Sequence, residues 1–125
     1  MEKYLLDSSI IIEILGGSSI GLKAGELVRQ GEASTSIISY CEVLNVVDLE
    51  KLSKAEAFLS QIPVFGVALS DGNTAKNLQY ECRKAGKYVP TMDCLIAATA
   101  INNNSILVAA DQDFERIEKL RKIVF

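Results

Sequence analysis

No histidine occurs anywhere in the 125 residues. Its absence excludes serine-histidine-aspartate hydrolysis, cysteine-histidine proteolysis and every zinc site that needs imidazole. Cysteine is scarce as well. Cys41, Cys82 and Cys94 are odd in number and widely separated, which fits neither a disulfide framework nor a paired-cysteine zinc site, and all three read as small buried hydrophobes. No apolar run reaches the roughly eighteen residues that a bilayer span requires. Residues Met1 to Gly16 lack the basic start and small-residue cleavage site of a secretory signal, so a cytoplasmic protein without membrane attachment is expected. Nor is there an excess of positive charge: 13 basic against 16 acidic residues give a formal net charge of −3. Proteins that hold nucleic acid by broad electrostatic attraction are normally basic, so the charge argues against that mode of binding. Local groups remain for contact with phosphates, namely Arg83, Lys84 and Lys87, and Arg116, Lys119, Arg121 and Lys122. Ordinary solvated helix surface is the simpler account of them. Any hydrolytic chemistry must therefore rest on carboxylates or on a metal.

The composition is 49% hydrophobic, enough to bury a core within one domain spanning residues 1–125. Tyr4-Leu5-Leu6 is a short apolar run ending at Asp7, and Ile10 to Leu15 reads as a short helix before the Gly16-Gly17 break. Leu22 to Val28 has helical spacing and stops at Gly31. Ala33 to Ile38 reads as a strand, Ser39 to Val47 and Lys51 to Ile62 as helices, and Val64 to Leu69 as a third strand. Ala75 to Ala85 reads as a helix ending at Gly86, and Asp93 to Ile101 as a helix apolar on nearly every side. Ile106 to Ala109 is a fourth strand, Phe114 to Leu120 a last helix, and Lys122 to Phe125 an edge strand. Strands alternating with helices, without hairpin signals, predict a three-layer α/β/α sandwich around a mainly parallel sheet. In such sheets functional groups gather beyond the carboxyl ends of the strands, where the strand order reverses. Asp7 follows the first strand, and Asp111 and Asp113 follow the fourth.

Magnesium and manganese prefer oxygen ligands, and crowded carboxylates repel one another unless a cation sits among them. Each acid here also has a structural explanation. Asp7, Ser8 and Ser9 precede an apolar helix and are good N-caps. Ser39-Tyr40-Cys41-Glu42 matches a capping box, in which the glutamate reaches back to its own helix start. Asp93 lies in the first turn of a helix, where the dipole favours negative charge, yet a carboxylate leading so apolar a helix risks partial burial, which favours a functional role. Within Asp111-Gln112-Asp113-Phe114 one aspartate is needed as N-cap, leaving the other free as a ligand.

Two further stretches are set aside. Gly16-Gly17-Ser18-Ser19-Ile20-Gly21 has P-loop glycine spacing but Leu22 where the lysine belongs, and reads as a flexible loop. Leu69-Ser70-Asp71 invites a receiver-domain reading with Asp71 as phosphoacceptor. That reading lacks the acidic pair after the first strand and the lysine after a late one, so a helix cap at Ser70 or Asp71 is the simpler account.

The motifs resemble the PIN-domain family, and within it the VapC-type toxin branch, across essentially the whole chain. Leu5-Leu6-Asp7-Ser8-Ser9 resembles its opening motif, with Asp7 a metal ligand supported by Ser9. Ser36 to Leu44 is similar to the second motif, whose glutamate, here Glu42, faces the acidic cavity. Pro90 to Ala100 resembles the third, with Asp93 a main ligand. Leu107 to Phe114 resembles the fourth, with Asp111 completing the site and Asp113 supporting it. Ala109 stands where the family often has Thr or Ser, which removes a hydroxyl from the site. The resemblance implies an endoribonuclease with Asp7, Asp93 and Asp111 holding Mg2+ or Mn2+ and with Glu42 tuning a ligand or positioning water. It further implies an RNA substrate, a homodimer and a cognate antitoxin. The alternative is a weak or inactive PIN-fold module that binds RNA or protein without cutting.

Overall fold

The structure, a computed structural model, describes residues 1–125. Five strands form one sheet: β1 (Lys3–Leu6), β2 (Glu32–Ser36), β3 (Val64–Phe65), β4 (Ile106–Ala109) and β5 (Lys122–Val124). Their order is β3-β2-β1-β4-β5 and every pairing is parallel. Six α-helices connect and cover them: α1 (Ser8–Gly16), α2 (Ser19–Val28), α3 (Ile37–Val46), α4 (Leu52–Leu59), α5 (Leu69–Lys84) and α6 (Thr91–Asn102).

Side chains alternate across a strand, so each strand feeds two cores. Leu5 of β1 joins Leu78 and Cys82 of α5 and Ile96 and Ala100 of α6, together with Leu107 and Ala109 of β4. Tyr4 and Leu6, on the other face, join Ile10 and Ile11 of α1, Val43 of α3, Leu59 of α4 and Val108 of β4. The expected three layers are present, with α1 to α4 on one side and α5 and α6 on the other. Because α6 is buried along most of its length between sheet and α5, its apolar residues show no amphipathic stripe. No helix is long and apolar enough to cross a membrane.

Several local expectations are corrected. The third strand is confined to Val64–Phe65, which pair with Thr35 and Ser36. Helix α5 begins already at Leu69, because the Asp71 carboxylate reaches back to accept the Ala68 N–H at 2.9 Å and also accepts from Asn102 Nδ2 at 2.8 Å. The last helix is only a 3-10 segment, Gln112–Arg116. Phe114 is buried within it, while Ile117, in extended backbone, and Leu120 are buried beyond its end. The helix expected over Lys51 to Ile62 opens with a 3-10 turn, Leu49–Lys51, and ends at Leu59. Cys82 and Cys94 are buried, but Cys41 is exposed on α3.

The Gly16 to Gly21 stretch is a tight helix junction and not a flexible loop. Gly17 ends α1 in the left-handed conformation, φ 68°, and Ser18 caps α2 by accepting the Gly21 N–H at 3.0 Å. Here α2 crosses α1 so closely that a Cβ on Gly21 would lie 2.0 Å from the Glu13 carbonyl oxygen. Backbone cannot swing aside as a side chain can. Gly21→Ala is therefore expected to destabilise the protein by about 2 kcal/mol, a cost typical of overpacking, and thermal unfolding measures it directly.

Candidate active site

Strand order reverses between β1 and β4, since the chain moves outward from β1 to β2 and β3 before returning to the other side of β1. The site lies beyond the carboxyl ends of those two central strands, as the topology predicts. Asp7 follows β1 directly, with its N–H donating to the Val108 carbonyl at 3.0 Å. Its side chain is buried, and the helical structure that begins at Ser8 makes it the N-cap of α1. Asp7 thus caps α1 and also belongs to the group of acids beyond these strands. The Ser9 N–H and Oγ donate to Asp7 Oδ2 at 3.1 and 2.5 Å, while Ser9 Oγ accepts the Ala110 N–H at 2.9 Å. One hydroxyl therefore ties the end of β1 to the end of β4 and holds the carboxylate between them. A longer contact at 3.5 Å brings Ser39 Oγ to Asp7 Oδ1.

The capping box expected at Ser39 does not form. Helix α3 starts at Ile37, and Ser36 is its cap, accepting the Ser39 N–H at 3.1 Å. Glu42 is consequently released from its own helix start and accepts a hydrogen bond from Ser8 Oγ at 3.1 Å. Ser8 was not singled out from the sequence. The signal was the Ser8-Ser9 pair itself: at a helix start, adjacent residues point in directions about 100° apart, so one hydroxyl serves Asp7 and the other serves Glu42.

Asp93, Asp111 and Asp113 place one carboxylate oxygen each within 4.8 Å of one another. Asp93 comes from the first turn of α6 and the other two from the loop and 3-10 segment after β4. The expected division of labour between the two aspartates is overturned, because Asp111 itself caps the 3-10 segment through the Asp113 N–H at 2.9 Å and still joins the cluster. Asp113 carries an ion pair with Arg116 at 3.6 Å. Ala109 is fully buried in the core shared with α6, one residue before the Ala110 N–H that Ser9 holds.

Electrostatics join Asp7 and Glu42 to this cluster. Burial pushes the Asp93 carboxyl up to about 7, and the charges of Asp111, Asp7, Asp113 and Glu42 push in the same direction. Asp7 is raised chiefly by burial and further by Asp111, against the lowering effect of its hydrogen bonds from Ser9. Glu42 is raised by burial and, more weakly, by Asp7 and Asp111. Three acids raised by burial and by neighbouring carboxylates form a centre short of positive charge. A hard divalent cation such as Mg2+ or Mn2+ fits the donor set, which is made of carboxylate oxygens with hydroxyls behind them and offers no thiolate or imidazole.

Removing the hydroxyl that orients a ligand typically costs about 10- to 100-fold in metal affinity or activity. Ser9→Ala should therefore lower metal affinity about tenfold with the fold intact, as metal titration monitored by calorimetry will read.

A family model described as the PIN domain matches residues 4–120. No curated protein sequence matches the chain significantly. Among solved structures, a chain of DNA-bound VapBC from Salmonella typhimurium is similar at a TM-score of 0.81 and 22% identity, covering 99% of this chain and 98% of that one. A chain of VapBC2 from Rickettsia felis, bound to a DNA fragment from its promoter, gives 0.80 and 21%, covering 98% of each. A chain of a toxin-antitoxin complex from Klebsiella pneumoniae gives 0.78 and 18%, covering 97% and 96%.

Proposed function

Because the chain belongs to the PIN-domain family, we propose that it is a divalent-metal-dependent endoribonuclease of the VapC toxin type, cutting RNA phosphodiesters at the acidic centre. The observation that carries this reading is the convergence of Asp93, Asp111 and Asp113 within 4.8 Å beside the buried Asp7. Asp7, Asp93 and Asp111 hold the metal, with Asp113 supporting it from the same loop. When bound, Mg2+ or Mn2+ lowers the pKa of water and offsets the negative charge that develops on the phosphodiester.

The chain's own groups supply the rest. Ser9 fixes the Asp7 carboxylate, so that its charge points to the centre before substrate arrives. Glu42, held by Ser8, orients the attacking water and accepts its proton, and burial raises its carboxyl above the ordinary value, which makes it a stronger base. The low dielectric around Asp7 strengthens each of these interactions.

The structural relatives are parts of toxin-antitoxin complexes, and we extend to this chain a cognate antitoxin, a homodimer and a cytoplasmic location. The test is cleavage of a labelled structured RNA pool with Mg2+ or Mn2+, compared with chelator. Metal-dependent cutting is expected; metal binding without cutting would replace the nuclease with a PIN-fold interaction module.

A further inference from the structure

Beside the acidic centre lies a cleft of about 290 Å³ lined by Gln79, Arg83, Lys87, Tyr88, Val89 and Thr91. We propose that this cleft is the substrate's entry subsite, where Tyr88 stacks an unpaired base of single-stranded RNA and Arg83 and Lys87 take the flanking phosphates. The inference rests on the nuclease reading and names where its substrate docks.

Four observations converge. Tyr88 is 74% exposed, which places nearly a whole aromatic ring in water without a packing role. Exposed aromatic faces set among cations are the means by which proteins hold unpaired bases and the strand that carries them. Arg83 has no carboxylate partner, and Lys87 has only a loose pair with Glu118 at 3.7 Å, of the kind that contributes little. Next to them on α5, Lys84 already lies over the ring of Tyr80 at 5.2 Å, and Tyr80 is itself 64% exposed.

The cleft is also wired to the acids. Thr91, an exposed residue of its lining, opens α6 two residues before Asp93; its hydroxyl accepts from Gln79 Nε2 at 2.9 Å. Arg116 donates to the Tyr88 carbonyl at 2.7 Å and pairs with Asp113 at 3.6 Å, so one guanidinium links the tyrosine loop to the acidic cluster. With a net charge of −3, the chain as a whole does not attract RNA. Positive charge beside the acidic centre, interleaved with tyrosine, gives a strand one favourable approach.

The test combines binding and cleavage on the full chain. Anisotropy of a labelled unstructured oligoribonucleotide is measured in the Asp93→Asn background, and steady-state cleavage in the wild-type background. Tyr88→Ala should weaken binding and raise KM about tenfold, with kcat nearly unchanged, and Tyr88→Trp should restore both. Arg83→Gln and Lys87→Gln should each flatten the dependence of log affinity on log salt by about 0.7. Cleavage with unchanged KM in every variant would overturn the cleft and leave the nuclease standing. Tyr88-dependent binding without any cleavage would do the reverse, and neither binding nor cleavage would overturn both.

Discussion

Asp93→Asn is expected to reduce metal-dependent RNA cleavage by at least about a hundredfold while the protein stays folded. The lower bound follows from losses of about 10- to 100-fold when groups merely supporting a metal ligand are removed; Asp93 is proposed as a ligand itself. Asparagine keeps the shape of the side chain at the start of α6, so the apolar residues behind it, Ile96, Ala97 and Ala100, pack as before. What it loses is the charge that four neighbouring acids oppose. Without metal, the variant should unfold at a slightly higher temperature than the parent at pH 8. Reduced activity joined to unimpaired metal-free stability separates a chemical loss from a folding defect. Retained cleavage would remove Asp93 from the metal centre.

The second large effect is a pH-dependent stabilisation by metal. In the folded protein the Asp93 carboxyl is pushed up to about 7, above its ordinary value of 3.8, so between those limits the folded state binds more protons than the unfolded one. The stability this group supports is complete below about pH 4 and is lost as pH rises through 7. Asp7 and Glu42, also raised, act in the same direction. Metal held at the proposed site should reverse the slope, by binding the deprotonated carboxylates and opposing their repulsion. At pH 8, Mn2+ at about a hundred times its dissociation constant stabilises by about 2.7 kcal/mol, which raises the melting temperature by about 10 °C for a chain of this size. At pH 5 protons compete for the same oxygens, and the same Mn2+ concentration should give a much smaller rise. Differential scanning fluorimetry across that range reads the difference; an equal rise at both pH values would show that the metal binds elsewhere.

The alternation of strands and helices, and the placing of Asp7 and Asp111 at one edge of the sheet, are legible because both follow from local pattern and parallel topology. Choices that depend on distant partners are not. Ser39-Tyr40-Cys41-Glu42 carries a complete capping-box pattern, but Ser36 takes the cap and Ser8, thirty-four residues away, takes the glutamate. Nothing local distinguishes the two outcomes. The stretch after Phe65 has the composition of a strand, yet β3 is at the sheet edge, and Asp71 starts α5 early by reaching back to Ala68. Asp111 serves as cap and cluster member at once, which a one-role-per-residue reading misses. Cys41 follows the same logic: its residue type predicts burial, and the face of α3 on which it falls decides otherwise.

The central strand pairs across almost the full length of the chain: Tyr4, Leu5 and Leu6 lie against Ile106, Leu107 and Val108, and Ser9 is bound to Ala110, 101 residues later. During translation the first hundred residues can collapse, but the strand that completes the centre is still unmade. Asp7, Glu42 and Asp93 then exist on a chain with no Asp111 to meet them. The acidic cluster is thereby among the last features of the fold to assemble, since it waits on β4 and on the Asp111 loop that follows it.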